Sequence, residues 1–226
     1  MVGRTALVTG ASRGIGAAVA DVLAEQGAHV ICHARSEHAA RAAAGRVHGS
    51  AVWGELDELD GVRQVADQTL ALTDELHALL HVAAVLHMGG IDDVTPELLE
   101  NSLAVNVVAP IFLTQALLGP LRRGRARIVV VSSTEGQLAH GMPGGSLPYR
   151  VSKTALHAFV ANAACELAPA DIVINAVHPG WVKTDMGGES AVVEPREAAE
   201  NVAWLAGFPA GGPTGKFYFE RRQIPW

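Results

Sequence analysis

Short apolar runs alternate with longer amphipathic stretches along this chain, and that alternation limits its fold more than any other feature. Ala6–Thr9, His29–His33, Ser50–Glu55, Ala78–Ala83, Ala126–Ser132, Ile172–Val177 and Gly215–Phe219 read as strands. Between them, Ile15, Val19, Val22 and Leu23 recur at helical spacing, as do Val62, Val65, Ala66 and Leu70. Strands that alternate with helices of one apolar face form βαβ units and bury a parallel sheet. The fold expected is therefore α/β: one Rossmann-type, doubly wound parallel sheet of about seven strands with helices on both faces. Its strands end along one rim, where ligands collect.

A chain of 226 residues with 49% hydrophobic content fills a core of that size as one domain spanning 1–226. A formal net charge of -6 provides no basic field for a phosphate backbone or anionic lipid, so neither nucleic acid nor a membrane surface is an expected partner. No signal-peptide pattern follows Met1 and no apolar run reads as a membrane span, so the expected location is cytoplasmic. Cys32 and Cys165 both lie in apolar stretches and read as small core residues. The ten histidines are scattered without HExxH or paired Cys/His spacing, and no metal site is expected. His157 shares a helical face with Tyr149 and Lys153 and reads as a core or subunit-contact residue.

Leu7-Val8-Thr9-Gly10-Ala11-Ser12-Arg13-Gly14-Ile15-Gly16 joins the first strand to the first helix. Gly10 permits a tight turn, Gly14 lets a pyrophosphate approach the backbone, and Gly16 lets the helix sit close to the sheet. The helix start then presents free N–H groups and the positive end of its dipole to phosphates. At the end of the second strand, His33-Ala34-Arg35-Ser36 contains no acid to take a ribose 2′-hydroxyl. Arg35, with Arg13 and Ser12, presents guanidinium and hydroxyl donors to a 2′-phosphate instead, which favours NADP(H) over NAD(H).

In Tyr149-Arg150-Val151-Ser152-Lys153 the spacing of four places phenol and ammonium on one helix face. A free phenol titrates near pH 10, and a neighbouring ammonium favours the phenolate, which brings proton exchange toward neutral pH. Upstream, Ile128-Val129-Val130-Val131-Ser132-Ser133 ends a buried-type strand in two hydroxyls suited to a substrate oxygen.

The TGASRGIG turn, with its GxxxGxG spacing, and the YxxxK pair resemble the short-chain dehydrogenase/reductase family, in particular its carbonyl reductases. That resemblance implies that Ser133, in the SxxG step Ser133-Thr134-Glu135-Gly136, is the catalytic serine and that Asn106 supports a water linked to Lys153. It implies that Asp57 caps the adenine, although an aspartate is equally at home in a turn. It further implies that Pro179 and Gly180 line the nicotinamide, with Val182 and Thr184 meeting its carboxamide. The family's usual NNAG after the fourth strand is replaced by His81-Val82-Ala83-Ala84, so adenosine packing falls to Ala83 and Ala84 without the asparagine contacts.

The function expected is hydride transfer between NADP(H) and a ketone, aldehyde or alcohol, catalysed by Asn106, Ser133, Tyr149 and Lys153. The alternative is a non-catalytic NADP(H)-binding sensor or scaffold, against which the intact catalytic set argues. An epimerase or dehydratase with an added C-terminal domain finds too little chain after Lys216. The glycine-rich loop from His140 to Pro148 and the short segment from Thr184 to Glu194 predict a site open to a bulky carbonyl compound. His87, Met88, Met142, Trp181 and Met186 are candidates to line it. Helices near Asn101–Leu118 and Tyr149–Leu167 have the apolar content of a homodimer or homotetramer interface.

Overall fold

Successive residues of a strand face opposite sides of its sheet, and the central strands here are apolar on both. In β1 (Thr5–Val8), Leu7 enters one core while Ala6 and Val8 enter the other. The computed structural model describes residues 1–139 and 141–226, so His140, at the start of the glycine-rich loop, lies outside the described residues. The remaining strands are β2 (His29–Ala34), β3 (Ser50–Trp53), β4 (Ala78–His81), β5 (Arg127–Val131), β6 (Val173–His178), β7 (Phe217–Phe219) and β8 (Arg222–Ile224). They form one sheet in the order β3-β2-β1-β4-β5-β6-β7-β8, parallel through β7.

The helices are α1 (Gly14–Glu25), α2 (Glu37–Arg46), α3 (Leu59–Leu72), α4 (Pro96–Leu103), α5 (Ala109–Ala116), α6 (Leu118–Arg123), α7 (Leu147–Leu167) and α8 (Pro195–Ala206). Val19 and Leu23 of α1, Ala43 of α2 and Val202 of α8 pack on one face of the sheet. Val65 of α3, Leu113 of α5, Leu121 of α6 and Val160 of α7 pack on the other. Strand order reverses between β1 and β4, which opens a cleft above their carboxyl ends.

The sheet has eight strands rather than about seven. The extra strand, β8, pairs antiparallel with β7 through Glu220 and Arg221, whose φ values of 47° and 61° make a two-residue hairpin turn. Such turns are usually marked by Asn-Gly or Asp-Gly, which this segment lacks. Cys165 is exposed on α7, not in the core, whereas Cys32 is buried and its thiol is pushed up to about 11 by desolvation. Pro96–Ala116, 21 residues, is in fact long and apolar enough to cross a membrane, against the expectation from sequence. Here it is one continuous helical run packed on α3 and α7. Its middle, Ala104–Val108, widens into a π-turn, which lets Pro110 sit inside a helix without an N–H to donate.

β4 ends at His81, earlier than its apolar run, because the Thr9 hydroxyl captures the next two backbone groups. Thr9 Oγ1 accepts from Val82 N at 2.9 Å and Ala83 N at 3.1 Å, and donates to Leu80 O at 3.3 Å. The side chain that directly follows β1 thus anchors the backbone at Val82 and Ala83, within the His81–Ala84 segment. His81 is 4% exposed and pairs with Thr114 of α5 at 2.9 Å; burial pushes its pKa down to about 3, so it stays neutral. Thr9→Val is expected to lower the unfolding free energy in urea by about 1–3 kcal/mol by orphaning these N–H groups. Thr9→Ser should retain most of the stability; a loss in Thr9→Ser with little loss in Thr9→Val would place the role in methyl packing instead.

Candidate active site

Three glycines shape the turn after β1, each for a different reason. Gly10 has φ +70°, and a Cβ there would lie 3.0 Å from Ala83 Cα, so the turn presses on the chain leaving β4. A Cβ at Gly16 would lie 2.2 Å from the Gly10 carbonyl oxygen, so only glycine lets α1 close on the turn. At Gly14, with φ +55°, a Cβ would lie 3.1 Å from the Thr184 methyl, so the segment after β6 packs onto the same turn. Ile15 beside it is half-buried against the core under α1. Arg13 opens α1 without a capping hydrogen bond from its side chain, and no acid stands in the first turn. The N–H groups at this end therefore remain free for an anion, and the donor set fits a dinucleotide pyrophosphate.

His33 sits beneath this turn, 1% exposed. Its Nδ1 accepts from Gly10 N at 3.2 Å, so Nε2 carries the proton and donates to Gly54 O at 3.0 Å. Burial lowers its pKa, which keeps this tautomer in place. Ser12 and Arg35 are exposed at the cleft. The Arg13 guanidinium pairs with Asp185 at 2.7 Å, both side chains being more than 70% exposed. An ion pair that exposed exchanges readily for another anion. Asp57 is exposed in the bend between β3 and α3, and Ala84 is half-buried beside Ala83.

The second half of the site forms where β5 meets α7. Ser132 is sealed and its hydroxyl has no partner among the described residues, whereas Ser133 starts the turn Thr134–Gly136. Ser133 Oγ accepts from Glu135 N at 3.1 Å, which leaves its own proton to donate. A Cβ at Gly136 would lie 2.7 Å from the Lys153 carbonyl carbon, so the glycine of the SxxG step lets this turn lie against α7. Tyr149 stands in the first turn of α7, and Lys153 Nζ lies 5.3 Å from its ring centroid. Lys153, 2% exposed, donates to Val131 O at 2.9 Å.

Asn106 lies in the π-turn. Its Oδ1 accepts from Val85 N, and its Nδ2 donates to Val85 O and Ser152 Oγ, each at 2.9 Å. Those bonds use both amide protons, so the side chain positions α7 and the chain after β4. Beyond β6, Gly180 has φ +87° and packs on Val193, while Pro179 precedes it and Val182 is buried. Thr184 Oγ1 donates to Val182 O at 3.3 Å and accepts from Gly187 N at 3.2 Å, which folds this loop into a tight turn.

Desolvation dominates the electrostatics. It pushes the Tyr149 phenol up to about 12; the Ser133 hydroxyl draws it partly back, and the Glu135 charge opposes that. Burial lowers Lys153 to about 8. Without a cofactor the phenol is thus fully protonated at neutral pH, and the ammonium alone does not yield a phenolate.

Sequence reasoning missed Thr9, His33 and a cluster in which Arg150 pairs with Glu135 at 2.7 Å while Ser146 Oγ donates to Glu135 at 2.9 Å. That cluster ties the SxxG turn to the start of α7. Nothing in the local sequence marks it, since the partners meet only in the fold. His87 bonds Asn101 at 2.9 Å, and Met88, Met142, Trp181 and Met186 are exposed on the loops after β4, β5 and β6. His157 is core, packed between Phe217 and Trp226 with ring centroids 4.6 and 5.0 Å away.

The chain is similar to known proteins over most of its length. Dehydrogenase/reductase SDR family member 4 of Homo sapiens is 35% identical over 192 residues, covering 81% of this chain and 68% of that protein. The landomycin C-6 ketoreductase LanV, solved with bound NADP and rabelomycin, superposes with a TM-score of 0.83 at 32% identity, over 96% of this chain and 94% of that one. NADPH-bound carbonyl reductase from chicken fatty liver gives a TM-score of 0.88 at 26% identity, over 100% of both chains. The model of the short chain dehydrogenase family matches residues 4–193, a span that holds the glycine turn, Asn106, Ser133, Tyr149, Lys153 and the loop after β6, and the chain belongs to that family.

Proposed function

We propose that the chain is an NADPH-dependent carbonyl reductase acting on ketones or aldehydes, with alcohol oxidation as its reverse. The observation that carries this reading is the meeting of a protonated Tyr149 phenol with the Ser133 hydroxyl above the buried Lys153 ammonium. A nicotinamide cofactor held at the glycine turn supplies the hydride. As the carbonyl carbon is reduced, its oxygen gains charge and takes the Tyr149 proton, while Ser133 donates a hydrogen bond to the same oxygen. Lys153 spends one N–H on Val131 O and keeps the others for ribose hydroxyls. Asn106 holds Ser152, and through it the first turn of α7, in register with the chain after β4.

Preference for NADPH over NADH rests on Arg35 and Ser12 at the cleft, on Arg13 once it leaves Asp185, and on the absence of an acid at the end of β2. Asp57, Ala83, Ala84, Pro179, Gly180, Val182 and Thr184 complete the proposed cofactor contacts. Two similar structures hold NADP or NADPH, which supports the choice. The exposed Met88, Trp181 and Met186 favour a bulky apolar carbonyl compound.

With a panel of aryl ketones, aldehydes and quinones, purified protein is expected to oxidise NADPH faster than NADH. Tyr149→Phe should lower kcat by about 10²–10⁴ while NADPH still binds. Binding without turnover on any of these compounds would favour the sensor reading. The pH profile separates the two ionisable groups. kcat/KM for NADPH reports the free enzyme, in which burial sets Lys153 to about 8. Its charge is present below that pH and lost above it, so kcat/KM should fall as pH rises through about 8. Tyr149, pushed up to about 12, should not contribute in that range. A profile flat well past the Lys153 value would contradict this assignment.

A further inference from the structure

At the opposite edge of the sheet from Tyr149, the amino ends of β1, β4 and β5 and the turn after α8 border an open cavity of about 300 Å³. Arg4, His77, Arg125 and Arg127 line it together with Gly124, Gly207 and Phe208, and no carboxylate does. The chain has 23 acids against 17 lysines and arginines, so three guanidinium groups around one acid-free cavity run against its overall charge.

Arg127 is the unusual member, a charged residue at the start of a central strand and only 5% exposed. Its Nε donates to Phe208 O at 2.6 Å and its Nη1 to Arg125 O, both neutral acceptors. Nη2 has no hydrogen-bond partner among the described residues and is not among the sealed, unpartnered atoms, and Arg127 lines the cavity. Burial and the neighbouring Arg4 charge both pull its pKa down, with Asp171 opposing them. The acids nearby stand outside the lining: Asp171 lies 3.9 Å from Arg125, and Glu75 lies 3.7 Å from His77. His77 Nδ1 accepts from Thr5 N at 3.1 Å, which leaves Nε2 to carry a proton.

A buried guanidinium with carbonyl partners alone is undercompensated, and guanidinium groups take the oxygens of a phosphoryl group in paired hydrogen bonds. We propose that this cavity binds a small phosphoryl anion, with Arg127 as the buried anchor and Arg4, Arg125 and His77 closing on its remaining oxygens. Its volume lies at the low end of the roughly 300–1,000 Å³ typical of small-ligand sites. That suits inorganic phosphate or a small phosphate monoester. The site is separate from the proposed cofactor cleft and does not depend on it.

Thermal unfolding tests this directly, comparing the intact chain with the double variant Arg4→Ala and Arg125→Ala in sodium phosphate, in methyl phosphate and in sodium chloride of matched ionic strength. Both substituted side chains are exposed, so the variant is expected to fold. Phosphate or methyl phosphate should raise the Tm of the intact chain by a few degrees over chloride, with most of that shift lost in the variant. A larger shift with methyl phosphate identifies an esterified ligand, and a larger one with phosphate the free ion. No shift beyond chloride, or an equal shift in both proteins, which would place the anion elsewhere, overturns the proposal.

Discussion

The Thr9 hydroxyl, which holds the end of β1 to the chain leaving β4, is the contact on which the rest of the site depends. Through it Gly10 is pressed to within 3.0 Å of Ala83, measured from where its Cβ would be. A line of hydrogen bonds runs from there along the carboxyl rim. It passes from Gly54 of the segment after β3 through His33 of β2 to Gly10, and by way of Thr9 to Val82 and Ala83. A little further along, Val85 bonds Asn106, which bonds Ser152, whose hydroxyl donates to the Tyr149 carbonyl at 2.7 Å. The glycine turn and the start of α7, for which we propose phosphate binding and proton transfer, are parts of one framework. Such preorganisation is what proton and hydride transfer require, since a small displacement of either half is costly to rate.

Burial decides the chemistry within that framework. It raises the phenol and lowers the ammonium, moving both toward their neutral forms, and for the phenol it outweighs the Ser133 hydrogen bond. A protonated Tyr149 is the form a reductase needs, whereas oxidation of an alcohol needs it as a base. The Glu135 charge adds to the rise, while the Arg150 guanidinium and Ser146 hydroxyl hold that carboxylate in place. The short loop after β6 lies against the glycine turn at Thr184, with the exposed Arg13–Asp185 pair bridging the two. Both sides of the cleft therefore meet over the proposed cofactor path.

Much of this was legible in the residue pattern. Alternation of strands and helices specified the sheet, and the glycine spacing specified a tight turn at Gly10 and a close seat for α1 at Gly16, where the geometry leaves no room for a side chain. YxxxK placed Tyr149 and Lys153 on one face of α7, and SxxG placed Gly136 where its lack of a side chain is needed. Contacts between distant segments were not legible. His33 was read only as a position lacking an acid, although its ring bridges two turns. Arg13 was read toward a phosphate, and its pairing with Asp185 depends on how the loop after β6 folds. The β7–β8 turn uses Glu220 and Arg221 at positive φ, residues that carry no hairpin signal. Cys165 sits on the outward side of α7, which apolar neighbours in sequence could not reveal.

The most direct test of the account is label transfer. Protein is incubated with NADPH carrying deuterium at both C4 positions of the dihydronicotinamide and with a bulky aryl ketone, and the alcohol is examined for deuterium at its carbinol carbon. The account predicts deuterium at that carbon, delivered predominantly to one face. Recovery of unreduced ketone from protein saturated with NADPH, or an alcohol without the label, would contradict it.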